Sequence, residues 1–333
     1  MYGFTKPPFA NIPDPSFLYP SVQHQRATSI LKYALMARAG FCVITGDIGA
    51  GKTTLVRSVL KDLNMPVCAG LVSNTQCESF DELLRWILLA YDLDYRNKDK
   101  VEMYDQFVQF LVAQFQKGEP VTLIIDEAQN LSLELLEQLR MLSNVNTEKG
   151  QILQTILVGQ PELWDLLRDP SMIQFAQRIS YDYFLKPLDG TKDVQQYIQH
   201  RLKVAGGATD LFEQSAYQRI CEATSGVPRL INLLCDTALV YAYADESKQV
   251  SKKIVEQVIT DKHASFAMRS QGIVTSPEPS TEESSTKTEL DPVAPTPIDS
   301  PTSQRPAASG VSAGHRSIST IEKAALRLKP KKN

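Results

Sequence analysis

The stretch Phe41-Cys42-Val43-Ile44-Thr45, running straight into Gly46-Asp47-Ile48-Gly49-Ala50-Gly51-Lys52-Thr53-Thr54, decides the fold. Its first five residues are apolar or β-branched and bounded by glycines, which predicts a short buried strand. Positions 46 to 53 match G-x-x-x-x-G-K-[ST] in full. A helix is expected over 53–63. A glycine-rich turn between strand and helix lets backbone N–H groups wrap a phosphate, and the helix N-terminus adds a positive partial charge. In such a turn Lys52 reaches the β- and γ-phosphates of ATP and the Thr53 hydroxyl ligates Mg²⁺. Every residue from Gly46 to Thr54 is therefore assigned to the nucleotide. The bland alternative is a glycine-rich turn that happens to contain Lys-Thr; the flanking strand and helix weigh against it.

A second apolar run, 121–126 (VTLIID), predicts another buried strand and is followed by Glu127. At that strand's C-terminal end Asp126 would hold the metal through water, and Glu127 would orient and polarise the attacking water. A solvated acidic pair is the competing reading, and the P-loop about 75 residues earlier argues against it. Gln160 follows a third buried run, 154–159, where a contact to a γ-phosphate or water is expected; an ordinary turn residue is the alternative. Arg178, in the run 174–180 (QFAQRIS), is expected to point at a neighbouring subunit's γ-phosphate, with Arg168 the weaker competitor and a surface salt bridge the structural alternative. Arg229 follows Pro228 at a helix start, placed to reach the phosphates when domains close, or to act as a cap. His24 and the aromatic arm near Tyr19 either border the adenine or serve core packing.

Around these motifs, strands alternate with helices. Further elements are expected at 21–39 (helix), 66–73 (strand), from Ser79 to about Tyr91 (helix, with Ser79 and Glu82 as a capping box), at 101–116 (helix) and from Ser132 to about Leu142 (helix). The alternation predicts an α/β fold, a parallel sheet sandwiched by helices. After Leu188 the pattern turns all-helical, with segments at 191–204, 213–224, 228–244 and 251–268. Four regions result: an N-terminal arm and helix packing on the ATPase core (1–39), the P-loop domain (40–189), a helical lid (190–270) and a tail (271–333). The tail is rich in Pro, Ser and Thr, reads as disordered, and ends in a short basic segment at 321–333.

The net charge is -3, which offers no global attraction to nucleic acid or an anionic membrane surface. Five cysteines without CxxC spacing read as buried thiols in a reducing, cytoplasmic setting. The isolated histidines show no zinc-ligand spacing. No apolar run approaches the roughly 18 to 20 residues of a membrane span.

The runs 7–24 (PPFANIPDPSFLYPSVQH), 45–55 (TGDIGAGKTTL), 123–144 (LIIDEAQNLSLELLEQLRMLSN), 156–163 (ILVGQPEL), 177–180 (QRIS) and 226–239 (GVPRLINLLCDTAL) together resemble the AAA+ ATPases of the ExeA/GspA secretion family. The resemblance is greatest to the shorter members that serve MSHA pilus biogenesis (MshM-like), because longer members carry a transmembrane helix and a peptidoglycan-binding domain where this chain has its Pro/Ser/Thr-rich tail. It implies a P-loop AAA+ domain with a small all-α lid, and a nucleotide-dependent homo-oligomer, ring or filament. It implies hydrolysis of Mg·ATP in support of a pilus or secretion machine, and contact with inner-membrane assembly proteins from the cytoplasmic side. By position Gln160 resembles sensor 1, Arg178 the arginine finger and Arg229 sensor 2. The alternative is a DNA-associated transposition helper or initiator, similar in the same motifs, against which the acidic balance argues.

Overall fold

Fifteen residues, Val22–Met36, form α1, capped by Ser21, whose hydroxyl accepts the His24 N–H. The computed structural model describes residues 2–12, 14–62, 67–73, 75–147 and 150–270, so the expected tail and its basic end lie outside the described residues. In chain order follow β1 (Phe41–Gly46), α2 (Lys52–Lys61), β2 (Cys68–Val72), α3 (Phe80–Ala90) and α4 (Lys100–Gln116). Next come β3 (Val121–Ile125), α5 (Leu133–Leu142), the two-residue strands β4 (Asn146–Thr147) and β5 (Gly150–Gln151), and β6 (Leu153–Gly159). The short helices α6 (Glu162–Leu167) and α7 (Ile173–Ala176) lead to β7 (Ile179–Leu185).

Five of these strands form one sheet in the order β2-β3-β6-β1-β7. Every pairing in it is parallel. Successive residues of a strand face opposite sides. Phe41, Val43, Leu123 and Ile125 therefore join α3, α4 and α5 in one apolar cluster, while Cys42, Ile44, Ile124 and Ile156 join α1 and α2 in another. Both faces are covered, which is why β1, β3 and β6 are mainly apolar and wholly buried.

β7 was not among the expected strands. It is an edge strand with alternating exposure, so its core-facing Ile179, Tyr181, Tyr183 and Leu185 are interrupted by Ser180, Asp182 and Phe184. The capping box expected at α3 is half formed: Ser79 accepts the Glu82 N–H, but Glu82 reaches back to the N–H of Glu78 instead of Ser79. The full reciprocal box is at α4, between Asp99 and Glu102.

Four helices, α8 (Gly190–Val204), α9 (Gln214–Thr224), α10 (Pro228–Ala244) and α11 (Lys252–Ser270), make the second unit. Its core gathers Val194, Ile198, Ile220, Ile231, Cys235 and Val255. The N-terminal arm departs from the expected placement on the ATPase core. Phe9 is buried inside the helical cluster, Tyr2 and Phe4 pack against it, and Thr5 bonds the Ala205 carbonyl. The reason is geometric: the helical unit offers these aromatic side chains an apolar seat, while the end of the arm, at Leu18, packs with α1 and α2 against the sheet.

Candidate nucleotide site

All the residues with assigned chemistry, apart from the arginines 168 and 178, converge where β1, β3 and β6 end. Because the strands are parallel and in register, Thr45 lies opposite Gly159 and Ile125 opposite Leu157, so three C-terminal ends open on one edge. A crevice outside the carboxyl ends of such strands is the ordinary ligand position of α/β sheets. Here it is a cleft of about 300 Å³ lined by the turn from Ile48 to Thr54, Glu127, Gln160, Arg229 and, from the arm, residues that include Ala10, Asp14, Phe17 and Tyr19.

The turn after β1 leads directly into α2. Gly49 has a φ of +82°, and a β-carbon there would overlap the side chain of Arg229. The same glycine's carbonyl accepts the Arg229 N–H at 3.2 Å, so the start of α10 is docked on the turn. Lys52 is buried, and its ammonium donates to the carbonyls of Gly46 at 2.7 Å and Asp47 at 3.0 Å. Burial pushes its pKa below the ordinary lysine range, opposed by the charges of Glu127, Asp126 and Asp47.

Thr53 donates its hydroxyl to Asp126 Oδ2 at 2.7 Å. Burial raises the Asp126 carboxyl, and the Thr53 hydrogen bond holds it down in part. A hydroxyl and a carboxylate, both hard oxygen donors, meet beside a lysine at a helix N-terminus. That donor set fits Mg²⁺, which takes one or two protein oxygens and completes its shell with water and phosphate. No cluster of three or more acidic, histidine or cysteine ligands exists among the described residues.

Glu127 stands in the left-handed region, at φ +54°, an unusual position for a residue with a side chain. Thr75 stabilises that turn by donating its hydroxyl to the Glu127 carbonyl at 2.9 Å. Gln160 donates to Glu127 Oε2 at 3.2 Å, which brings the two sequence-assigned residues together.

A family model described as an AAA domain matches residues 35–167. Over 250 residues, 75% of this chain, the sequence is 38% identical to general secretion pathway protein A of Aeromonas hydrophila. The chain belongs to the AAA+ ExeA/GspA family. It spans 45% of that relative's length. Among solved structures, the ORC2 protein of Aeropyrum pernix in its ADPNP-ADP complexes is similar with a TM-score of 0.61 at 17% identity, covering 77% of this chain and 72% of that one. Drosophila ORC bound to DNA is similar with a TM-score of 0.60 at 17% identity, covering 78% of this chain and 65% of that one. At these identities the likeness is one of fold.

In this AAA+ chain the remaining assigned residues divide. Arg229 and His24 line the cleft, and so does Tyr19, whose hydroxyl also reaches Asp193 and Gln196 of α8. Arg178 lies outside the cleft and donates to the Ser143 hydroxyl at 3.2 Å, while Arg168 stacks over the Trp164 ring. Sequence reasoning missed three contributors. Thr75 acts on Glu127 from the loop after β2, and Gln129 acts on it from the turn that follows β3. Arg201 of α8 is buried, donates to the carbonyls of Pro8 and Ala10, and lies 4.8 Å from the Phe17 ring centroid, which fastens the arm beside the cleft. For Gln129 the only signal was its place two residues after the acidic pair.

Proposed function

We propose that the chain binds Mg·ATP in this cleft and hydrolyses it, and that it does so as a nucleotide-dependent oligomer supporting an envelope secretion or pilus machine. The observation that carries the chemical reading is the convergence of Lys52, the Thr53–Asp126 pair and Glu127 on the ends of three adjacent strands. Lys52 and the backbone of the turn bind the phosphates; Thr53 and Asp126 hold the metal. Mg²⁺, when bound, supplies neutralisation of the charge developing on the phosphate oxygens. Glu127 takes a proton from the attacking water, and Gln160 orients the terminal phosphate. Arg229 approaches from the helical side. Arg178, directed away from its own cleft, serves the cleft of a second copy.

The relative's name, general secretion pathway protein A, and the resemblance to pilus-biogenesis members support the proposal of inner-membrane assembly partners. No described helix is long and apolar enough to cross a membrane, so contact with an inner-membrane machine is proposed to run through protein partners.

The decisive chemical test is Glu127→Gln. The variant should bind Mg·ATP as tightly as the native chain and hydrolyse it about 1,000-fold more slowly, within the range general-base removal produces. Native turnover by the variant under saturating Mg·ATP would refute the assignment. For the biological class, co-purification with inner-membrane pilus or secretion proteins supports the reading; strongly salt-dependent retention on DNA would favour the transposition-helper alternative.

A further inference from the structure

We infer that Gln129 is the positioning residue that ties Glu127 to Gln160, so that the residue facing the terminal phosphate also sets the aim of the base. This rests on the reading of Glu127 as the base and adds the device that controls it.

The orientation of the Gln129 amide is forced by its partners. The Gln160 backbone N–H can only donate, and it is 3.0 Å from the side-chain oxygen Oε1 of Gln129. The other end of that amide must then be the nitrogen, and Nε2 donates to Glu127 Oε2 at 2.7 Å. Gln129 thus spans the ends of β3 and β6 with one side chain. The Gln160 side chain donates to the same oxygen, Oε2, at 3.2 Å. Two donors on Oε2 assign the proton-accepting role to Oε1.

The surroundings are shaped for this bridge. A β-carbon on Gly159 would come within 2.9 Å of Gln129 Oε1, so the last residue of β6 leaves room for the amide. The left-handed turn at Glu127, supported from Thr75, swings the following Ala128–Asn130 turn back over the carboxylate. Each partner is bonded to the other two, which makes a closed triangle. When Gln160 turns its amide to a phosphate oxygen, Glu127 retains the Gln129 bond, stays in register, and loses one of the two donors that stabilise its charge. It becomes the stronger base at the moment the substrate is in place. Water then gives its proton to Glu127 Oε1 as its oxygen bonds to the γ-phosphorus and the bond to the ADP leaving oxygen breaks.

The test uses the full chain with two substitutions. Gln129→Met keeps the length and removes both hydrogen bonds. Gln129→Glu keeps an acceptor for the Gln160 N–H but presents an oxygen, not a donor, to Glu127. Both should lower kcat about 100-fold, the cost of misplacing a catalytic group by about 1 Å, while KM and the ATP Kd stay within twofold. Combined with Gln160→Ala, Gln129→Met should lower kcat no further than the larger single effect, because the residues act as one unit. A strand-stapling role would instead lower Tm in Gln129→Met, spare Gln129→Glu, and leave kcat intact in both. Native kcat in Gln129→Glu, or single effects that multiply, would overturn the inference. If Glu127→Gln is inactive while the Gln129 variants are normal, only this inference fails; if Glu127→Gln turns over normally, the underlying reading fails.

Discussion

On the sheet side of the cleft, Lys52 is bonded to the carbonyls of its own turn, Thr53 to Asp126, and Glu127 to Gln160, all just beyond the ends of strands held in register. On the helical side, Arg229 is exposed, and its backbone is docked on Gly49 by one hydrogen bond of 3.2 Å. That side is anchored farther back, where Arg201 grips the arm and Phe9 fills the helical core. The contrast separates two tasks. A rigid wall holds the groups that must meet reacting atoms within fractions of an ångström, and a wall docked through few bonds can change its distance when nucleotide binds.

If this division is right, the largest effect comes from the rigid wall. Lys52→Ala should abolish measurable hydrolysis and weaken ATP binding about 100-fold, since it removes a buried charge-assisted donor. Isothermal titration with Mg·ATP checks it; tight binding by the variant would mean the phosphates do not lie against this turn.

A third surface sharpens the comparison. Arg178 belongs to neither wall, and its guanidinium meets Ser143, which caps the C-terminal end of α5. Arg178→Ala should leave ATP binding to the monomer unchanged and cut hydrolysis by the assembled protein about 1,000-fold, the lower end of what a transition-state arginine contributes. Steady-state assays at concentrations spanning assembly would show it. Normal turnover at high concentration would confine Arg178 to a structural role.

The helical wall is tested through its anchor. Arg201→Met keeps much of the packed stem but strands the Pro8 and Ala10 carbonyls and removes the guanidinium from Phe17. A loss of about 2 to 3 kcal/mol is expected for orphaned buried partners of a charged donor. If the two units unfold together as a body of roughly 250 residues, that lowers Tm by about 4 to 12 °C. Because the arm lines the cleft, ATP affinity should fall about tenfold while kcat at saturation is kept. A loss of kcat with affinity intact would mean that the arm acts on chemistry, against the division drawn above.

How much of this was legible in advance follows the range of the interactions. The turn 46–53 and the pair Asp126–Glu127 are local patterns, readable because phosphate and metal chemistry demands fixed spacing along the chain. The four lid helices were equally legible: 228–244 was expected and Pro228–Ala244 is found, since Pro at the first turn marks a helix start. β7 escaped because an edge strand needs one apolar face only. Gln129 and Arg201 escaped for a different reason. Gln129 bonds Glu127 two residues back, but its second partner, Gln160, lies 31 residues away, and the Arg201 contacts to the arm span about 190 residues.

The smallest expected effect tests the seam between the walls. His24 is buried on α1, with Nδ1 2.8 Å from the Ser21 hydroxyl, and its Nε2 would lie 3.3 Å from a β-carbon on Gly51. Burial lowers its pKa from the ordinary histidine value, against the opposing pull of the Ala50 backbone and Asp193. In the unfolded chain the ring titrates at about 6.5. Between that value and the lower folded one, the unfolded state binds a proton that the folded state does not, so stability rises with pH in this window. Acidification from neutral pH should therefore lower Tm until the folded-state pKa is passed, below which this contribution levels off. His200, also pushed down by burial and by Arg201 and Lys203, adds a slope of the same sign. His24→Gln should reduce the slope without removing it, by less than the Arg201→Met effect. Parallel Tm curves for native and variant chains between pH 7.5 and 5.5 would show that the seam does not depend on a neutral ring at His24.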